Sequence, residues 1–452
     1  MTLNAEEQYL LELINRARLD PVAEAARYGI DLNQGLAAGT LTGGSRQVLA
    51  ANPRLEQAAV LHSRWMLDQD VFSHTGAGGS QPWNRATAQG YAYSNIGENI
   101  SWRGNYSGWI PGGTAVLLHH EGLFRSAGHR VNLLNDTFRE VGIAREDGVF
   151  RSGGTNYNAS MLTELFGRSG SLPILTGVVY SDLDQDRFYS IGEGRSGASF
   201  TVGSATAGSS AAGGYALSVA ASAALAVAGV TPYGMRFTLT VDMSQGNVKL
   251  DLVNGVEFLT SGSLALGTGI ARATLLGLDD LQLFGSTAAN TLTGNAGANR
   301  LVGFAGNDTI SGGAGNDTME GGPGSDRLLG GLGADLIRGG SEADVLDGGA
   351  GNDTLIGGNQ ADVLTGGLGA DVFRFNDAGG ADRVTDFRLA ERDRLAFDDG
   401  LWNGASLTRQ QVVDRYAHVT AEGVRFDFGA DGSVLLAGVT SLNGLANAID
   451  IF

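Results

Sequence analysis

Residues 348–373 read "GGAGNDTLIGGNQADVLTGGLGADVF", in which a glycine pair, an acid and an aliphatic residue return every nine positions. Outward from there, segments of nine align without insertion from Gly285 to Arg374. Their sixth position runs Asn290, Asn299, Asp308, Asp317, Asp326, Asp335, Asp344, Asp353, Asp362 and Asp371. The eighth is always apolar, from Leu292 and Leu301 through Ile310 and Met319 to Leu364 and Phe373. An apolar residue at this period, flanked by alternating neighbours, predicts short strands whose inward side chains stack into a narrow core. The glycine pairs supply the positive φ angles that turn the chain. Two nonapeptides complete one coil. Asp308, Asp326, Asp344 and Asp362 then stack on one edge, and Asp317, Asp335, Asp353 and Asp371 on the other. Unscreened rows of carboxylates repel. A hard cation relieves this, and Ca²⁺, with about six to eight oxygen ligands, fits carboxylates and backbone carbonyls best. A glycine-rich linker would not keep an aliphatic register.

The pattern resembles the GGxGxDxUx repeat of RTX proteins, a secreted bacterial family. That resemblance implies a right-handed parallel β-roll filled with several calcium ions over residues 285–374. The first two segments depart from it, with Asn in the acid position, so the calcium rows are expected to begin at Asp308. Residues 375–452 return to strand-like alternation in "FRFNDAGGADRVTDF" and "DRLAFDDG" and close on "LANAIDIF". They resemble the cap and uncleaved C-terminal signal of type I secretion substrates, which makes the type I apparatus an expected partner.

Composition agrees with export. The chain has 452 residues, 71 of them glycine, no cysteine, and a formal net charge of −18 from 48 acids and 30 bases. Lys249 is the single lysine. A field of that sign disfavours nucleic acid and anionic membranes as partners. Without cysteine, disulfides and thiolate metal sites are excluded. The opening "MTLNAEEQYLLELINRAR" has acids where a signal peptide would be basic, and reads as a helix capped by Asn4. The most apolar run, Ala216 to Val230, is too short for a membrane span. The expectation is a secreted, extracellular protein without an N-terminal signal peptide. Extracellular calcium modules bind with Kd of about 10⁻⁴–10⁻³ M, so the roll would order only outside the cell.

Residues 1–170 differ in character. Helices are expected from Asn4, after Asn52-Pro53, from Thr114 to Phe124 and over "SAGHRVNLL", with strands at "EVGIARE" and "SMLTELFG". That mixture indicates a small α+β layered domain. The stretches "HSRWM", "DVFSH", "GENIS" and "GHRVNLL", in this order, resemble the CAP superfamily, also called SCP-like, in its cysteine-free bacterial branch. The resemblance implies an α-β-α sandwich whose cleft holds two histidines and two acids. Carried over, His74 matches the first histidine, Glu98 the acid of "GEN" and His129 the second histidine. Glu121 is one candidate for the second acid, although the family's acidic position falls nearer Ser126, and Leu123 stands where tryptophan is usual. Such a cluster has three readings: a Zn²⁺ site, a Glu–His acid–base pair, or a buried hydrogen-bonded network that fixes loops. Whether the domain is an enzyme stays open at this point, as does its ligand. His62 reads as a core histidine, and adjacent His119 and His120 cannot face one cleft.

Between them, residues 171–284 read as a small all-β region. In "GVVYSDLDQDRFYSIGEG", Asp182, Asp184 and Asp186 take positions 1, 3 and 5 of a twelve-residue loop (182–193), with Phe188 at 7 and Glu193 at 12. This is EF-hand ligand spacing, with Arg187 where glycine is usual. The flanks read as strands, and the loop resembles calcium sites in β-sandwich repeats of bacterial surface adhesins.

The expectation is thus a multidomain secreted calcium-binding protein in which the roll drives export and extracellular folding of a CAP effector or binding module. The alternatives are a metal-dependent, protease-like hydrolase using the His/Glu cleft, and a structural surface or matrix protein.

Overall fold

A computed structural model of the chain describes residues 3–170, 172–376, 380–402 and 404–452. Residues 377–379, within a segment expected to alternate like a strand, lie outside the described residues. The chain divides into two compact units, one ending at Gly262 and one beginning at Ser263.

The first unit opens with helix α1 (Ala5–Leu19), where Asn4 Oδ1 accepts from the N–H groups of Glu6 and Glu7. Glu7 returns the bond to the Asn4 N–H, completing a capping box. Helices α2 (Pro21–Arg27), α3 (Pro53–Asp68), α4 (Pro82–Ala88), α5 (Gly112–Arg125) and α6 (Ala127–Leu133) follow. A four-stranded sheet of β1 (Ala50–Ala51), β2 (Asn95–Asn105), β3 (Glu140–Ser152) and β4 (Thr155–Arg168) has the order β1-β3-β4-β2. Strand alternation splits its side chains between two cores. Val141, Ile143, Leu162 and Phe166 pack with α1, α5 and α6, whereas Ala144, Met161 and Leu165 face α3 and α4. Each such burial contributes roughly 1.5–3 kcal/mol for a large side chain. Helix α3 lies so close to β3 that a Cβ on Gly142 would come within 2.0 Å of the Leu55 backbone. The result is the expected α-β-α sandwich.

Strands β5 (Ile174–Tyr180), β6 (Ser199–Val202), β7 (Ala205–Gly208), β8 (Gly214–Ser218), β9 (Leu225–Val230), β10 (Arg236–Val241), β11 (Val248–Val253) and β12 (Glu257–Thr260) complete the unit. Two sheets enclose an aromatic core in which Phe200 stacks on Tyr215 with centroids 3.9 Å apart. Strand β5 lies between β11, parallel, and β8, antiparallel. The β region is not detached from the helical sandwich: Asn247 Nδ2 donates to the Val48 and Arg139 carbonyls at 3.1 and 2.8 Å.

The second unit is the expected roll. Strands at 309–314, 327–332, 345–350 and 363–368 form one parallel ladder, and those at 318–323, 336–341, 354–358 and 372–375 the other. The eighth-position side chains, Ile310 to Phe373, are buried without exception. At Gly331 φ is +112°, and a Cβ there would lie 2.1 Å from the Gly313 carbonyl of the previous coil. Glycine is required for both reasons. The coil also outruns its repeat. It begins at Leu264, paired with Leu283, and continues through Val384, Leu395 and Leu436 to Ile449. Insertions break the regular spacing there, short before Val384 and Leu395 and far longer before Leu436 and Ile449, without breaking the ladder.

Candidate functional site

The roll carries the more regular site. Backbone N–H groups of Asp308, Asp317, Asp326, Asp335, Asp344 and Asp353 each donate to Oδ1 of the aspartate 18 residues on, at 2.7–2.9 Å. The rows begin with Asn290 and Asn299, which donate to Asp308 and Asp317. They end on Asp382 and Asp393, whose Oδ1 atoms accept from Asp362 and Asp371. The nonapeptide register missed those two, because insertions place them 20 and 22 residues on.

Oδ2 is different. In Asp308, Asp317, Asp326, Asp335, Asp344, Asp353 and Asp362 it is buried without a partner. A Cβ on Gly312 would fall 2.3 Å from Asp317 Oδ2 and 2.6 Å from the Gly330 carbonyl, so the acid and a carbonyl of the next coil share one glycine-walled niche. Buried polar atoms without partners are rare. Here they recur once per repeat. Burial, opposed by the backbone hydrogen bond, pushes these carboxyls up to about 6, and to about 7 at Asp344 and Asp362. Repulsion along the row is the smaller contribution, so desolvation more than like charge is what a cation must offset. Oxygen-only niches of this kind suit calcium.

The histidine cluster is built on β2, where Glu98 is 6% exposed. Glu98 Oε1 holds His74 Nδ1 at 2.8 Å, and Oε2 takes Arg85 of α4. His129, on α6, uses Nδ1 on Ser126 Oγ at 2.9 Å. Ser126 thus stands where the second acid was sought. Glu121 instead bonds Arg125 at 2.7 Å, and no hydrogen bond joins it to His74, Glu98 or His129 among the described residues. His129 is pulled below the usual imidazole range by burial and by His74.

Two further groups were not anticipated. Arg85 neutralises Glu98, and nothing in its sequence context marks it. Glu164 of β4 is fully buried, with Oε2 accepting from Asn99 Nδ2 at 3.1 Å, and burial raises it to about 8. Asn99 also reaches the His129 carbonyl at 3.3 Å, linking Glu164 to the cluster.

His62 is buried as expected, with Nε2 on the Ser73 carbonyl at 3.0 Å, but it also lies 4.0 Å from Glu98. Burial lowers it to about 4. His119 and His120 diverge as the helix requires, to Ser101 and Ser160 and to Glu24 respectively.

In the middle loop, ligand atoms of Asp182, Asp184 and Glu193 lie within 4.8 Å of one another, the one such group among the described residues. Asp182 Oδ1 is buried and unpartnered. Glu193 is fixed by the Leu183 and Ser190 N–H groups at 2.6 and 2.7 Å. Asp186 accepts from the Phe188 N–H at 2.7 Å and stands outside the group. Phe188 packs on Tyr9, with Arg16 above its ring at 4.9 Å. Arg187 adopts the φ of +59° that its glycine-like position demands.

Comparison with known proteins agrees with both resemblances. Residues 11–155 match the model of the cysteine-rich secretory protein family (CAP). Residues 284–319, 320–355 and 338–373 match the RTX calcium-binding nonapeptide repeat (4 copies). No curated protein matches the chain. Among solved structures, an extracellular protein containing a SCP domain from Bacillus anthracis is 23% identical over 36% of this chain and 40% of its own, with a TM-score of 0.23. An outer surface protein from Borrelia burgdorferi is 14% identical over 38% of this chain and 97% of its own (TM-score 0.25). The extracellular lipase LipA from Serratia marcescens is 19% identical over 39% and 44% (TM-score 0.18). The chain spans less than half of the first and third of these. No helix among the described residues is long and apolar enough to cross a membrane.

Proposed function

Proceeding from a CAP domain joined to calcium-binding RTX repeats, we propose a secreted protein whose roll folds on calcium outside the cell and presents the CAP domain as a binding module. The observation that carries this reading is the row of buried, unpartnered Oδ2 atoms. Asp308, Asp317, Asp326, Asp335, Asp344, Asp353, Asp362 and Asp371, with neighbouring glycine carbonyls, would hold the ions. Asp182, Asp184 and Glu193 would hold one more. In the low calcium of a cytoplasm these acids disfavour the coil, which suits export as an unfolded chain through a type I apparatus. Titrating the calcium-free full chain and following circular dichroism tests this. A gain of β signal with calcium supports it, and order that is complete in chelator at neutral pH sinks it.

Binding is favoured over hydrolysis by the state of Glu98, which Arg85 and His74 already occupy. It serves to hold His74 with Nε2 outward. A zinc ion would therefore meet the His74 imidazole with Glu98 behind it and the His129 imidazole with Ser126 behind it. Zinc analysis with His129→Ala, assayed on peptide and ester panels, separates the readings. Turnover abolished by that substitution would restore the hydrolase, and calcium-dependent self-assembly unaffected by it would favour a structural role.

A further inference from the structure

Lys249 is the only lysine among 30 basic residues, and it is placed where surface charge cannot explain it. It lies on β11 at 6% exposure, against Glu12 of α1 (2%) and Asp251 two residues along (3%). Its Nζ is 2.8 Å from Glu12 Oε2 and touches Asp251 Oδ2. The other oxygen of each acid is fixed as well. Asp251 Oδ1 accepts from the Val178 backbone N–H of β5 at 2.9 Å, and Glu12 Oε1 from Gln8 Nε2 at 2.8 Å. Buried Tyr180, Tyr189 and Tyr215 lie close enough to feel the charge of these acids.

As a plain ion pair this site is poorly composed. Two acids face one ammonium, and all three groups are buried, so the excess charge is poorly solvated. Burial raises the Glu12 carboxyl against the pull of Lys249. At Lys249 burial is outweighed by Asp251 and Glu12, which hold its ammonium above the ordinary value, so the amine is freed only by passing its proton to a neighbouring carboxylate. Arginine, used at every other basic position except this one, would bridge two carboxylates better through its planar fork. What lysine alone offers is an amine that can lose its proton and attack a carbon.

We propose that Lys249 and Asp251 condense to an intramolecular isopeptide bond, with Glu12 as the proton carrier. The ammonium first passes a proton to the Asp251 carboxylate, giving amine and acid. Nζ then attacks Cγ, and the carbonyl electron pair moves onto Oδ1, which the Val178 N–H faces. Glu12 takes a proton from Nζ and returns one to the departing hydroxyl. The Cγ–Oδ2 bond breaks, water leaves, and the carbonyl re-forms as an amide. No oxidant or cofactor is consumed. The product removes a positive and a negative charge from a site that solvates neither. Asp251 is the acid attacked because a sheet-bound backbone donor holds its carbonyl oxygen, whereas Glu12 is held by a side chain. Because Glu12 arrives on α1, the bond forms only after the helical sandwich has docked on the β region.

The single lysine makes the test direct. Full-length protein, folded in calcium and then denatured, is expected to weigh one water less than its sequence. An amine reagent in denaturant should then label the α-amine and no ε-amine. Fragmentation should place the link between 249 and 251. Glu12→Gln keeps the shape and, where circular dichroism shows the fold retained, should restore the full mass and one reactive ε-amine. A wild-type protein with full mass and a labelled lysine overturns the proposal, whether or not the variant folds. A water loss that persists in folded Glu12→Gln overturns the role of Glu12, and a link joining Lys249 to Glu12 overturns that of Asp251.

Discussion

The backbone N–H of Asp326 donates to Oδ1 of Asp344, one full coil away, at 2.7 Å. The same bond joins Asp308 to Asp326 and Asp344 to Asp362. From Asp308 to Asp362, one oxygen of each ladder acid therefore fixes the stacking, while the other remains buried without a partner. The acids have a structural role before any ion arrives, and charge is what makes that role unfavourable at neutral pH.

A pH dependence follows from the raised carboxyls. Their folded values, about 6–7, lie above the ordinary 3.8, so the neutral form favours the coil. Without calcium, the stability they contribute is complete below about pH 4 and is lost as pH rises through 6–7. In chelator, β ellipticity should be present at about pH 4 and absent at about 7.5. Calcium should restore it at the higher pH. An apo roll equally ordered at both values would contradict the assignment.

Substitution at one rung should separate the two oxygens. Asp344→Asn keeps an oxygen for the Asp326 N–H and removes the charge. It should stabilise the calcium-free roll near neutral pH and weaken calcium binding. Asp344→Ala leaves that N–H unpaired as well, at a cost of about 1–3 kcal/mol. Urea unfolding with and without calcium reads both effects.

The middle loop should account for one ion. Asp182→Ala removes the buried, unpartnered oxygen. Calorimetry should then count one calcium fewer than in the parent, with the roll's ions retained. An unchanged count would leave the loop an acidic turn.

Glu164 should behave as a neutral acid at physiological pH. Its folded value, about 8, lies above the ordinary 4.5, so its contribution is lost as pH rises through 8. Glu164→Gln mimics the protonated form. It should match the parent within ~1 kcal/mol near pH 4, gain on it as pH rises between 4.5 and about 8, and exceed it most near pH 9 in thermal unfolding.

The two modules were legible for different reasons. In the roll, each residue meets the equivalent residue one coil on, so a period of nine carries register, core and acid rows together. Where insertions intervene, as before Asp382 and Asp393, the same geometry persists without a visible period. The cleft is assembled from segments far apart in the chain. His74, Glu98 and His129 could be named by motif, but Arg85 and Glu164 could not, because burial and a distant partner define them. Glu121 shows the converse: it lies near the right place in the chain, yet its turn of α5 directs it to Arg125.

Sequence by itself determined the coil, its acid rows and the absence of cysteine chemistry, since these follow from local period and composition, and it indicated the sandwich through a family resemblance. Tertiary structure decided which oxygens lack partners, that Ser126 faces His129, and that the lone lysine is enclosed by two acids. Those facts depend on desolvation and on contacts between strands and helices that share no pattern along the chain.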